Sequence, residues 1–181
     1  EVAYQQGQPV FIDAEDSWIQ DAIDRLATEM MEKYNREQPI VFNTLQLYRT
    51  DRLQYLKDSR RQAKLDGYIF AAKLVRGAYM EKERERAKQM GYPSPIHPNQ
   101  AATNQDYDAA LDYCLKHIDD VAFVAATHNE DSTRQLAEKM FDRGIPTNHP
   151  NIFFSQLYGM GDNISNKLAG LGYNVSKYVP Y

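Results

Sequence analysis

Short apolar runs alternate with amphipathic helical patterns along the whole chain, and this alternation limits the possible folds more than any other feature. Runs rich in β-branched and aromatic residues are typical of buried strands, and apolar residues at helical spacing separate them. The pattern predicts about six strands and five main helices in parallel βα units. The predicted strands cover residues 9–13, 40–46, 68–75, 121–126, 152–157 and 175–178. The predicted helices cover residues 16–35, 51–66, 81–90, 103–118 and 131–144, with a short one at 164–169.

Two architectures fit this alternation: an open doubly wound sheet, or a TIM-like (β/α)₈ barrel of which this chain holds about six strands. The first predicted strand is not followed by a glycine-rich phosphate fingerprint, which argues against a dinucleotide-type open sheet. Because the carboxyl ends of barrel strands meet at one mouth, polar residues at every strand end favour the barrel. Those strand-end residues are Asp13, Gln46, Arg76, His128, Gln156 and Tyr178. We therefore expect one partial α/β barrel domain over residues 1–181.

The composition excludes several classes of function. The chain has 181 residues, a formal net charge of −4 and no basic block, so nucleic acid is not expected as its main partner. Its apolar runs are too short to span a bilayer. Cys114 is the single cysteine, which rules out an internal disulfide and a cysteine metal cage. The histidines lack the spacing of metal ligands, so no metal site is predicted.

The segment KLVRGAY at residues 73–79 covers the end of a predicted strand and the connection to a strongly charged predicted helix. In a barrel this position faces the ligand, and Lys73 and Arg76 could bind an anion, a phosphate or an electron-rich ring. Gly77 would let backbone approach a ligand closely. A buried cation paired with a carboxylate, beside a turn glycine, explains the same residues equally well. Together, the strand-end residues include no evident activated nucleophile or metal cage. They are typical of a site that binds a large polar cofactor and leaves the chemistry to it.

Six short motifs, in order along nearly the whole chain, resemble those of the proline dehydrogenase family, flavoenzymes that oxidise L-proline. They are DAE at 13–15, FNTLQ at 42–46, KLVRGAY at 73–79, THN at 127–129, QLYGM at 156–160 and KYVPY at 177–181. The resemblance implies a distorted (β/α)₈ barrel that binds FAD noncovalently at the carboxyl ends of its strands. In that family a hydride passes from proline C5 to flavin N5, which gives Δ1-pyrroline-5-carboxylate. The electrons then pass to a membrane quinone.

The resemblance also implies roles for individual residues near the substrate. Asp13 matches the family's active-site aspartate, and Lys73 stands where many bacterial members carry an arginine near flavin N5. Tyr178 and Leu157 match walls of the proline pocket, and Tyr79 matches a tyrosine near the site. The catalytic residues are thus expected to be Asp13, Lys73 and Tyr178. The substrate-binding residues are expected to be Asp13, Tyr79, Leu157 and Tyr178.

For the cofactor, Gln46 matches a glutamine at the pyrimidine edge of the flavin. Residues 75–77 match a run that contacts flavin and phosphate, and residues 127–129 match the surroundings of the ribityl and pyrophosphate portion. Thr103 matches a threonine near the adenosine half. The expected cofactor-binding residues are Gln46, Lys73, Val75, Arg76, Gly77, Thr103, Thr127, His128 and Asn129.

The implied partners are L-proline and a membrane quinone, with no nucleic acid and no metal. The implied location is the bacterial cytoplasm or the mitochondrial matrix, peripheral to the inner membrane. The family binds the proline carboxylate with a lysine on its first strand and two arginines on its last helix, which we expect to lie outside this chain. The chain alone is therefore expected to be inactive or very weak on proline. A non-catalytic fragment or scaffold, or a barrel enzyme acting on a phosphorylated metabolite, are the alternatives.

Overall fold

The computed structural model describes residues 1–179, so the end of the motif at 177–181 lies outside the described residues. Strands and helices alternate as the sequence predicts. The strands are β1 (Val10–Ile12), β2 (Val41–Gln46), β3 (Phe70–Val75), β4 (Val121–Ala126), β5 (Ile152–Leu157) and β6 (Val175–Tyr178). The helices are α1 (Val2–Gln5), α2 (Ser17–Tyr34), α3 (Arg52–Asp66), α4 (Met80–Met90), α5 (Gln100–Lys116), α6 (Glu130–Asp142) and α7 (Asp162–Gly170).

The six strands form one parallel sheet in the order β1-β2-β3-β4-β5-β6. Each strand therefore lies beside the next one in the sequence. A doubly wound sheet requires a point at which the strand order reverses, and this order contains none. The sheet is a curled section of a (β/α)₈ barrel, which confirms the predicted fold class. All six strand carboxyl ends consequently lie along one edge.

The central strands are buried on both faces, as expected for a parallel sheet covered by helices. Every residue of β2 is buried, and most residues of β3, β4 and β5 are as well. Their largest fully buried side chains include Phe70, Phe123 and Phe154. Burial of each such ring stabilises the fold by roughly 1.5–3 kcal/mol. The outer strands β1 and β6 are only partly buried, so the core is centred on β2 to β5.

Several element boundaries differ from the predictions because side-chain caps decide them. The helix predicted to begin at Thr103 begins at Gln100, because the Asn99 side chain accepts a hydrogen bond from the Ala102 amide at 2.9 Å. The short helix α1 was not predicted, since it carries no buried residue and hence no apolar signal. The connection between α4 and α5 is irregular, apart from one isolated antiparallel bridge between Ile96 and Arg49.

A buried polar network fixes α2 against the sheet and against α3. The Asp24 carboxylate accepts hydrogen bonds from Arg52 at 2.6 Å and from Gln20 and Asn43, each at 2.9 Å. All four residues are buried. Because a buried charge is tolerated only with partners, this network specifies how the helices dock. The loop that precedes α2 is held too, since the Gln20 side chain accepts a hydrogen bond from the Glu15 amide at 3.1 Å.

The substitution Asp24→Ala is expected to lower the free energy of unfolding by about 3–5 kcal/mol, because it removes one partner of a buried ion pair. The measurement is the midpoint of chemical denaturation. Asp58→Ala is the control, since Asp58 pairs with Arg61 on the exposed surface of α3. It should change stability by no more than about 0.5 kcal/mol. Equal effects of the two substitutions would contradict the structural role of Asp24.

Candidate functional site

A cleft of about 870 Å³ lies at the carboxyl ends of the strands. All six predicted strand-end residues line it, which confirms their predicted convergence. The cleft residues that the sequence analysis singled out are Asp13, Gln46, Lys73, Val75, Arg76, Gly77, Tyr79, Thr127, His128, Asn129, Gln156, Leu157 and Tyr178. This arrangement follows from the strand order, because parallel neighbours present the same end to the same edge.

Lys73 is paired with a carboxylate. Its ammonium forms an ion pair with Asp13, which also accepts hydrogen bonds from Thr44 at 3.3 Å and from the Tyr178 hydroxyl at 3.4 Å. The same ammonium lies 5.0 Å from the centre of the Tyr178 ring and 6.0 Å from that of Phe11. The Asp13 side chain is 45% exposed while that of Lys73 is 13% exposed. The carboxylate is therefore the member of the pair that a ligand can reach more easily.

Arg76 is held in a different way, by neutral partners. Its guanidinium donates to Asn104 at 2.7 Å, to Thr127 at 2.7 Å and to Ser132 at 2.9 Å. It also lies over the buried Tyr107 ring, 4.2 Å from the ring centre. No carboxylate lies within ion-pair distance of it among residues 1–179. Three of the five N–H groups are used, so two remain to bind an anion.

The turn after β3 packs directly on an aromatic ring. Gly77 has φ +130°, and a Cβ atom there would lie only 2.5 Å from the Tyr48 ring. The backbone is held in place because Leu47 and Tyr48 donate their amides to the carbonyls of Val75 and Arg76, at 2.8 and 2.7 Å. Glycine is thus required by both conformation and space. Burial, and the nearby charge of Glu83, raise the pKa of the Tyr48 phenol.

Two buried glutamines tie the loops of the cleft together. Gln46 donates to the Glu15 carbonyl at 2.9 Å and accepts from the Ala78 amide at 3.2 Å. It thereby joins the β1–α2 and β3–α4 loops. Gln156 donates to the Thr127 carbonyl at 3.2 Å and accepts from Ser165 at 2.8 Å. A primary amide has two N–H groups, and each glutamine uses one of them to donate to a carbonyl. Each therefore retains one N–H group as a further donor.

The side chains of the THN motif at 127–129 serve separate purposes. Asn129 caps α6, since its side-chain oxygen accepts from the Ser132 amide at 2.9 Å. Thr127 accepts from both Arg76 and the Asn129 amide, the latter at 3.1 Å. His128 is exposed in the cleft wall and lies against Gly161. The motif therefore combines a helix cap, a support for Arg76 and one solvent-facing ring.

Thr103 lies apart from the cleft. It lines an adjoining hollow of about 520 Å³ that is also lined by the turn at 76–79. Its side chain is buried and its hydroxyl donates to the Asn99 carbonyl at 3.5 Å. Tyr79 lines both spaces and donates to the Glu15 carboxylate at 3.4 Å. Partial burial, together with the charge of Glu15, raises the pKa of Tyr79, so its phenol stays protonated at neutral pH.

The residues that support Arg76 from the helices were not predicted from the sequence. Gln100 and Asn104 line the cleft, and Asp108 lies one turn beyond them on α5. The signal was present as polar residues spaced by four on a helix whose buried members are mostly apolar. Ser132 on α6 carried no such signal. Its hydroxyl reaches Arg76 and Asp108 only through the tertiary packing of α6.

No group of three or more histidine, cysteine, aspartate or glutamate side chains within residues 1–179 is placed to hold a metal ion. Over the same residues, none of the helices combines the length and apolar character needed to cross a membrane.

The strand order and the strand-end cleft define a barrel protein whose ligand site lies at the carboxyl ends of its strands. The sequence pattern of the proline dehydrogenase family matches residues 1–181, and the chain belongs to that family. It is 43% identical over 183 residues to human "Proline dehydrogenase 1, mitochondrial", covering 99% of this chain and 30% of that protein. It is 42% identical over 182 residues to the Drosophila melanogaster protein of the same name, covering 95% and 27%.

Among solved structures, the fold is similar to proline utilization A from Bdellovibrio bacteriovorus inactivated by N-propargylglycine. The TM-score is 0.91 at 25% sequence identity, covering 99% of this chain and 19% of that one. The chain spans less than a third of the length of the two curated relatives named above. The similarity thus extends over nearly the whole of this chain and a limited part of each relative.

The substitution Gly77→Ala is expected to destabilise the protein by at least about 2 kcal/mol, because it adds a steric clash with Tyr48 to the strain of a positive φ. Gly91→Ala is the matched control. Gly91 also has a positive φ, +71°, but nothing lies within 4 Å of the added Cβ. It should cost only about 1–2 kcal/mol. Thermal unfolding distinguishes them, and a Gly77 variant no less stable than the Gly91 variant would disprove the close contact.

Proposed function

We propose that residues 1–181 form the FAD-binding part of a barrel domain that oxidises L-proline to Δ1-pyrroline-5-carboxylate. The observation that supports this most directly is the pairing of two different cation environments at one strand end. Lys73 of β3 is neutralised by Asp13 beside the aromatic ring of Tyr178, whereas Arg76, directly after β3, is held by neutral partners that leave its charge uncompensated. A zwitterionic substrate and an anionic cofactor require such a division of charge.

The shape of the site fits FAD. The cofactor has a wide ring system, an anionic diphosphate and an adenosine, and the chain offers a cleft, an arginine and a second hollow in corresponding order. Arg76 lines both spaces, and Thr103 lies in the hollow. Arginine N–H groups suit phosphate oxygens, and the remaining amide hydrogen of Gln46 suits the edge of a heterocycle. Gly77 lets the turn that carries Arg76 pack directly on the Tyr48 ring, because any side chain there would clash with that ring.

In this proposal the bound flavin supplies the two-electron acceptor for the substrate hydride. The negative charge of Asp13 attracts the substrate amine. Lys73 and Thr44 hold the Asp13 carboxylate in place. Tyr178 and Leu157 form the apolar wall against which the proline ring packs.

The proposed electron acceptor after the flavin is a membrane quinone. The protein would then work at a membrane surface, in the mitochondrial matrix or in the bacterial cytoplasm. The mitochondrial location is supported by the names of the human and fly relatives, which are called mitochondrial.

The proposal is tested with the intact protein that contains this chain. We expect flavin absorbance to remain with the protein through gel filtration, and L-proline to bleach it under anaerobic conditions. Flavin that remains bound but is never bleached would indicate a binding protein without this activity. A colourless protein that takes up no added FAD would overturn the proposal altogether.

The substitution Asp13→Ala is expected to lower kcat/KM for L-proline on the order of 100-fold, because it removes a charged partner of the substrate amine and leaves Lys73 unpaired. The bound FAD content should stay unchanged. The control is Glu138→Ala, whose exposed side chain pairs with Arg134 on α6 away from the cleft. Turnover by the Asp13 variant at the level of this control would refute the role of Asp13.

A further inference from the structure

Two consecutive hydrogen bonds connect Arg76 to the carboxylate of Asp108, which it does not contact directly. The guanidinium donates to the Ser132 hydroxyl at 2.9 Å, and that hydroxyl donates to Asp108 at 2.6 Å. Ser132 is 2% exposed, so water does not compete for its hydroxyl. The three residues come from the end of β3, from α6 and from α5. The contact therefore joins three separate elements behind the cleft.

The chemistry of the three groups fixes the direction of both bonds. A guanidinium only donates and an ionised carboxylate only accepts, whereas a hydroxyl has one hydrogen and two acceptor sites. The Ser132 hydrogen must therefore point to Asp108, and its lone pairs must face Arg76. Each bond involves one ionised group and strengthens the other by polarising the hydroxyl. Asp108 thus determines the direction in which Ser132 presents its lone pairs.

We propose that Asp108 is a positioning residue for Arg76, acting through Ser132, and that it orients the arginine for the diphosphate of FAD. The inference rests on the proposed cofactor. A direct Asp–Arg pair would use the free N–H groups of Arg76 and neutralise its charge. A hydroxyl placed between them orients the guanidinium while leaving charge and donors available to an anion.

The chain provides a matched control on the same two helices. Asp112 lies one turn beyond Asp108 on α5 and pairs with Lys139 of α6 at 2.6 Å. This pair also ties α5 to α6, but it has no contact with Arg76. Any effect of general α5–α6 packing should therefore appear in Asp112 variants as well as in Asp108 variants.

The experiment measures the affinity of the intact apoprotein for FAD and for riboflavin, which lacks phosphate. Asp108→Ala and Ser132→Ala should each weaken FAD binding on the order of tenfold, because a hydrogen bond to a charged group is lost. Riboflavin binding should be unchanged. The double variant should bind FAD no more weakly than Ser132→Ala alone, since Asp108 has no other route to Arg76. Asp112→Ala should match the wild type with both ligands.

Four results would overturn the inference, and a fifth bears on the proposed function. Unchanged FAD binding in Asp108→Ala would refute it, as would equal losses for FAD and riboflavin or additive losses in the double variant. Should Asp108→Ala fail to fold, Asp108→Asn decides the matter, because it keeps the shape and an acceptor oxygen but removes the charge. We expect it to weaken FAD binding selectively, and no selective loss would refute the inference. A wild-type protein that binds neither flavin contradicts the proposed function instead.

Discussion

The hydrogen-bond ladder between β2 and β3 is the constraint on which the site depends. It continues beyond both strands, as the amides of Leu47 and Tyr48 bond to the carbonyls of Val75 and Arg76. The turn after β3 is thereby held against the Tyr48 ring, which leaves space only for glycine at position 77. With the turn fixed, the side chain of Arg76 leaves the sheet in one direction. The site is thus determined first by backbone register and only then by side-chain chemistry.

The two cations at this strand end show how neighbouring positions can be given opposite electrostatic environments. Lys73 faces Asp13 across the cleft, so its charge is balanced locally. Arg76, three residues later, meets an amide and two hydroxyls, and its nearest acid along that path is reached only through Ser132. Because neutral partners orient a guanidinium without cancelling its field, such an arrangement favours anion binding. The interpretation as a paired structural cation therefore holds for Lys73 and fails for Arg76.

The sequence was sufficient to predict the strand order and the edge at which ligands bind, because both follow from βα alternation and from polar residues at strand ends. It was insufficient for features that depend on how helices dock. The location of Thr103 in a separate hollow and the helix-capping bond of Asn129 belong to this group. So does the support of Arg76 by Asn104 and Ser132, since neither residue is near it in the chain. Local pattern fixes elements, whereas side-chain partners require tertiary geometry.

The docking of the helices is in turn fixed by buried polar contacts. Asp24 ties α2 to β2 and α3. Glu83 of α4 is fully buried and accepts from both the amide and the hydroxyl of Ser17, at 2.6 Å each. It therefore holds α4 against the start of α2, next to the loop that carries Asp13. Apolar burial alone would allow helices to slide, whereas directional bonds to carboxylates do not. The positions of Asp13 and of the turn at 76–79 are thus coupled, since the same helices hold both in place.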